Sequence, residues 1–106
     1  MFEREIDAGV ALLDDHEPEW LDRIQPERLN LMFGDTCILG QAYWSYSRGL
    51  QILFGPDAMS NGQWGQEYGF SLPSRHEDET SLSYYRRWET LTTEWRDIVR
   101  HLQAVG

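Results

Sequence analysis

The stretch SLSYYRRWETLTTEWRDIVRHL (residues 81–102) decides the fold. Tyr85 (or Tyr84), Trp88, Leu91, Trp95, Ile98 and Leu102 recur in it at spacings of 3, 3, 4, 3 and 4. That is the period of one helix face, not of a strand. Val99 broadens the stripe, and the pattern is nearly a heptad seam. It predicts a long helix beginning between Glu77 and Ser81. An apolar seam must be covered. In a chain of 106 residues the nearest cover is the rest of the same chain, so an intramolecular bundle is favoured over a coiled-coil dimer. A homodimer is the alternative if the seam is left open.

The other segments also read as helices. From an N-cap at Asp35 or Thr36, a broad stripe of Ile38, Leu39, Ala42, Tyr43, Tyr46, Leu50, Leu53 and Phe54 predicts one helix to about residue 54, stopped by Gly55-Pro56. Gly40 and Gly49 lie on or beside its apolar face and let another helix come close. Residues 3–15 carry Ile6, Gly9, Val10 and Leu13 at spacings of three and four, with Leu12 beside them. Glu3, Glu5 and Asp7 stand in the first turns, where the helix dipole favours acids. Pro18 fits the first position of a short second helix with Trp20, Leu21 and Ile24 on its apolar edge, ended by Pro26. Residues 29–33 read as a short extended piece or a lead into the next helix.

Residues 55–76 are punctuated by Gly55, Gly62, Gly65, Gly69, Pro56 and Pro73. They read as a loop-rich insert, with room for a short hairpin, that Trp64 and Phe70 pin to the core. The expected architecture is an all-α single domain over 1–106, a compact bundle of three to four helices with that insert. The expected core is Val10, Leu13, Trp20, Ile24, Leu39, Tyr43, Tyr46, Leu50, Leu53, Trp88, Leu91, Trp95 and Ile98.

Composition excludes several classes. Apolar residues make up 41% and aromatics 13%, too many for a disordered acidic tail. The single cysteine, Cys37, cannot form an internal disulfide and suits a reducing cytoplasm. The charged start, Met1 to Glu5, does not read as a signal peptide, and no run approaches the 18 apolar residues of a membrane span. The net charge is −9, and all nine cations are Arg. The charge is uneven: residues 1–35 hold ten acids against three Arg, while residues 36–76 balance at zero. Such an N-terminal third repels bare nucleic acid and attracts a basic protein surface.

The chemical motifs are sparse. Cys37 stands near a helix N-terminus, where a thiol can be activated, but no histidine is local and Ile38-Leu39 follow at once. It reads as a buried, inert cysteine. The knot of Asp14, Asp15, His16, Glu17 and Glu19 lacks the glycine and alternating oxygen ligands of a calcium loop. With one cysteine and no i, i+4 histidine pair, a zinc site is not expected either. Residues 62–69 lack the Lys-Ser/Thr of a phosphate loop and read as turns. No cofactor is therefore expected. Arg86 and Arg87 beside Tyr84, Tyr85 and Trp88 are too few for nucleic-acid stacking in so acidic a chain. Arg96 and Arg100 are spaced to line an exposed helix face.

Gly9-Val10-Ala11-Leu12-Leu13-Asp14, the run Trp20 to Ile24, Cys37-Ile38-Leu39-Gly40-Gln41-Ala42-Tyr43, Tyr46 and Gly49-Leu50 together resemble small uncharacterised proteins of actinobacteria and their phages. The resemblance covers roughly the first half of the chain, with Tyr68-Gly69-Phe70 beyond it, and the absence of Lys agrees with it. It implies a phage or prophage accessory protein and carries over no activity and no site residue.

These observations favour a small acidic protein-interaction module that binds and inhibits a host protein through its acidic surface, as a monomer or homodimer. The residues expected to meet the partner are Asp14, Asp15, Glu17, Glu19 and Asp22, with Trp64 and Tyr68 as aromatic anchors. The alternatives are a ligand-binding or regulatory domain built on Trp64, Tyr68 and Phe70, and a small enzyme using Cys37 or paired carboxylates.

Overall fold

The computed structural model describes residues 1–60 and 62–105. Helix is the only regular secondary structure among them, which bears out the all-α class. There are six α-helices among the described residues, more than the three to four expected. These are α1 (Glu3–His16), α2 (Trp20–Arg23), α3 (Ile38–Tyr43), α4 (Tyr46–Phe54), α5 (Gln63–Glu67) and α6 (Ser81–Val105). Two 3-10 turns, Pro26–Arg28 and Ala58–Ser60, join them.

The long helix is where its periodicity placed it. At 1.5 Å per residue, α6 is about 38 Å long, close to the 42 Å longest dimension of the molecule. Thr80 Oγ1 caps its start by accepting from the Ser83 N–H (3.1 Å). Its buried face is Leu91, Thr92, Trp95 and Val99, with Trp88, Ile98 and Leu102 packed on the rim. The seam is therefore closed within the chain. Tyr85 does not share in it and is 53% exposed. Thr92 lies on the buried face, where the Leu31 N–H of the segment that crosses α6 needs an acceptor. Thr92 Oγ1 supplies it at 3.0 Å. Arg96 corrects the expected exposed face: its guanidinium donates to the carbonyls of Pro26 (2.9 Å) and Leu29 (2.8 Å) and ties the 3-10 turn to α6.

The centre of the molecule is a node of large and very small residues. Trp95 is fully buried and donates its Nε1–H to the Gly69 carbonyl (2.6 Å). It stacks on Phe70 and meets Trp20 edge-on, with centroids 6.0 and 6.5 Å apart. Gly9 lets α1 approach this node. A Cβ there would strike the Tyr68 carbonyl and press on the Trp95 ring. Gly69 adopts φ 73°, the left-handed region that glycine enters freely.

The expected single helix over 35–54 is two helices. Cys37, not Asp35 or Thr36, caps the first: its Sγ accepts from the Gly40 N–H (3.2 Å). Trp44 then turns left-handed (φ 77°), and Ser45 starts α4 by accepting from the Arg48 N–H (3.1 Å). The apolar stripe runs through this corner without a break in its period, so the sequence pattern concealed it. α3 and α4 close on one another where Gly49 meets Leu39 and Tyr43. Gly40 instead packs on the backbone of Gly34 and Asp35.

Helix α2 begins at Trp20 rather than Pro18. Residues 29–33 are irregular, with a turn at 31–32 and with Leu29 and Leu31 buried. The insert holds a 3-10 turn and α5 in place of the allowed hairpin. Buried Gly65 sits against Tyr46 and Ser71, and its carbonyl accepts from the N–H groups of Phe70 (2.8 Å) and Ser71 (3.2 Å). Among the expected core residues, Val10, Tyr46, Trp88 and Ile98 are only half-buried, packed against the core from outside.

Candidate functional site

The acids expected to meet a partner divide into two groups. Asp14 stands near the end of α1 and accepts the Nε1–H of buried Trp20 (2.8 Å). Glu17, half-buried just past the helix, pairs with Arg23 at 3.4 Å. Arg23 also donates to the Ala42 carbonyl (3.1 Å), which fastens this corner to α3. These two acids hold the α1–α2 turn in shape. Asp15, Glu19 and Asp22 are exposed. Asp15 has only a 4.0 Å approach to His16, and Glu19 and Asp22 have no ion pair among the described residues. Asp14 is exposed as well, but bonded to Trp20, so the corner presents three unengaged carboxylates beside it.

Trp64 and Tyr68 do not join that corner. They belong to α5 and the turn after it. Tyr68 lies beside Arg4, Glu5 and Ala8 across a shallow surface depression. Ten residues of α1 separate Glu5 from Asp15, about 15 Å along the axis. Trp64 is 38% exposed and stacks on Phe54 (centroids 5.1 Å). Phe54 meets Tyr68 (5.3 Å), and Tyr68 meets Phe70 (6.5 Å). With Trp95 and Trp20 the rings form one ladder from the surface to the core. They fasten the insert to the core.

Cys37 is buried. Burial pushes its thiol pKa up, and the Gly40 N–H opposes this more weakly. A thiol so placed is protonated at neutral pH and serves as a helix cap. Among the described residues no three His, Cys, Asp or Glu side chains are grouped to hold a metal ion. No helix of the described residues is long and apolar enough to cross a membrane.

Two features escaped the sequence reading. The first is Trp44, which is 73% exposed on left-handed backbone with the Arg48 guanidinium 5.5 Å from its ring centroid. Phe33, 55% exposed, precedes Gly34, whose carbonyl accepts from the Tyr46 N–H (2.9 Å) and so brings the 30–36 turns to the Trp44 corner. The only sequence signal was Ser45, a cap residue inside an apolar stripe. The second is a cleft of about 260 Å³ where Leu29 and Met32 face Tyr85 and Trp88 on α6. Trp88 Nε1–H is buried with no hydrogen-bond partner among the described residues.

In comparisons with protein-family models, with curated proteins and with solved structures, nothing matches this chain.

Proposed function

We propose that the protein is a protein-interaction module whose α1–α2 corner docks on a basic surface of a partner protein. The observation that carries this reading is the division of labour among the five acids. Asp14 and Glu17 are spent on Trp20 and Arg23, so Asp15, Glu19 and Asp22 are held out on a fixed turn. Fixed charges lose less freedom on binding than mobile ones. In its sharper form the corner occupies a nucleic-acid-binding site as a charge mimic and inhibits it. That role fits the phage or prophage accessory protein implied by the sequence resemblance.

The test compares wild type with the triple variant Asp15→Asn, Glu19→Gln, Asp22→Asn. Each is immobilised and used to capture proteins from a nuclease-treated bacterial lysate at low and moderate salt, and the captured partner is then purified and titrated. The reading expects affinity that falls with salt, because exposed charge pairs are screened within about 8–10 Å at physiological ionic strength. It also expects a loss of at least roughly tenfold in the triple variant. Equal binding by the two proteins, or affinity unchanged by salt, overturns the electrostatic docking.

A further inference from the structure

The Trp44 corner carries a second surface of different chemistry. Residues 36–56 contain no Asp or Glu in a chain that has 18, and their one charge is Arg48. Trp44, Arg48 and Ile52 follow at intervals of four residues. Trp44 meets Arg48 ring to guanidinium, and Ile52, one turn further along α4, is 53% exposed. With Phe33 beside the corner, three large apolar side chains leave on the order of 400 Å² in solvent, taking 150–250 Å² for a full ring. That is about half of what each partner buries in a standard interface.

The backbone at Trp44 sharpens the point. A non-glycine residue in the left-handed region is strained. At Trp44 that backbone carries a ring 73% exposed to water, with the Arg48 guanidinium over it. Trp and Arg are the residue types that most often anchor interfaces.

We infer that this face seats a second copy of the chain, related by a two-fold axis near Trp44. Charge argues for this occupant. Each copy carries −9, so two copies repel least where acids are few, and residues 36–56 hold none. A two-fold interface must be self-complementary, and this face carries exposed charges of both signs. Asp35 and Arg48 are both exposed, have no ion pair among the described residues, and stand on the two segments that the Gly34–Tyr46 hydrogen bond joins. A two-fold axis between them sets Arg48 of one copy toward Asp35 of the other, twice over. The α6 seam takes no part, because its own chain covers it. The inference does not rest on the acidic α1–α2 corner, which stays free in such a dimer.

The test is sedimentation equilibrium of the full chain from micromolar to millimolar concentration. The expected result is a reversible dimer of twice the 12.5 kDa chain mass. Trp44→Gly accepts the left-handed backbone and removes the ring, and Ile52→Glu puts an acid on the face. Each is expected to weaken dimerisation at least roughly tenfold while the monomer keeps its helical circular dichroism. Arg48→Glu weakens it as well, and adding Asp35→Arg to that variant restores it. Tyr85→Ala, on the exposed side of α6, leaves it unchanged. A monomer at every concentration overturns the inference. So does a dimer indifferent to Trp44→Gly and Ile52→Glu, which would place the contact elsewhere.

Discussion

Trp20 and Trp44 each mark a corner between consecutive helices, yet one is fully buried and the other is 73% exposed. At the α1–α2 corner the turn is held by side chains. Asp14 binds the Trp20 ring N–H, Glu17 binds Arg23, and the tryptophan is drawn inward against Trp95. At the α3–α4 corner the turn is held by short-range and backbone hydrogen bonds. Cys37 and Ser45 cap successive helices, and the Gly34 carbonyl takes the Tyr46 N–H. Those bonds do not involve the Trp44 side chain, which lies 73% exposed against Arg48. A corner that is held by its large side chains has none to spare for a partner. One held by its backbone can offer them.

Replacing each tryptophan in turn is the hardest test of that contrast. Trp20→Ala removes a fully buried ring and leaves a cavity beside Trp95, so it should cost about 3–5 kcal/mol in denaturant unfolding. A loss below about 1 kcal/mol would mean that the ring does not hold its corner. Asp14→Ala should cost about 1 kcal/mol, from one lost hydrogen bond and an orphaned indole N–H. The same measurement on Trp20→Phe shows whether that bond or the ring area dominates.

The start of α6 supplies an intermediate case. Glu79 receives two hydrogen bonds from Arg87 (2.7 and 2.8 Å) and lies beside the first turn of the helix. Hydrogen bonding to Arg87 holds the Glu79 carboxyl below its usual pKa. The stabilisation is therefore present above the ordinary glutamate value, about 4.3, and is lost as pH falls through the lowered folded value. Arg87→Ala should lower the melting temperature modestly at pH 7, and its difference from wild type should close in acid. A difference that persists with Glu79 protonated would assign Arg87 to packing on Tyr84 instead.

Trp44→Gly should have the smallest effect and the opposite sign. Relief of left-handed strain, about 1–2 kcal/mol, outweighs the extra chain entropy of glycine, about 0.5–1 kcal/mol. The net is a gain of about 0.5 kcal/mol in monomer stability, read by denaturant unfolding at concentrations below association. A clear loss would show that the exposed ring is part of what holds the corner.

The periodic segments were legible because a helix face repeats with a period that the order of apolar residues reveals directly. The α6 seam and the stripe of α1 were found on that basis. The α3–α4 break was not, because Tyr43, Tyr46 and Leu50 keep helical spacing across a left-handed residue. The acids at 14–22 were legible as a group, but not as two groups. Only the positions of Trp20 and Arg23 separate Asp14 and Glu17 from Asp15, Glu19 and Asp22. Trp64 and Tyr68 were named as anchors on residue type alone, and stacking on Phe54 makes them part of the ladder.

By itself the sequence determined the all-helical class, the long final helix and the uneven charge, since each depends on residue type and local spacing. Tertiary structure alone decided which tryptophan is buried, which acids are free and which arginine crosses to a distant turn. Those outcomes depend on partners many residues away in the chain. Arg96 meets Pro26, Trp95 meets Gly69 and Leu31 meets Thr92 only after the helices have packed. Buried polar groups then take whichever acceptor the packing brings within reach.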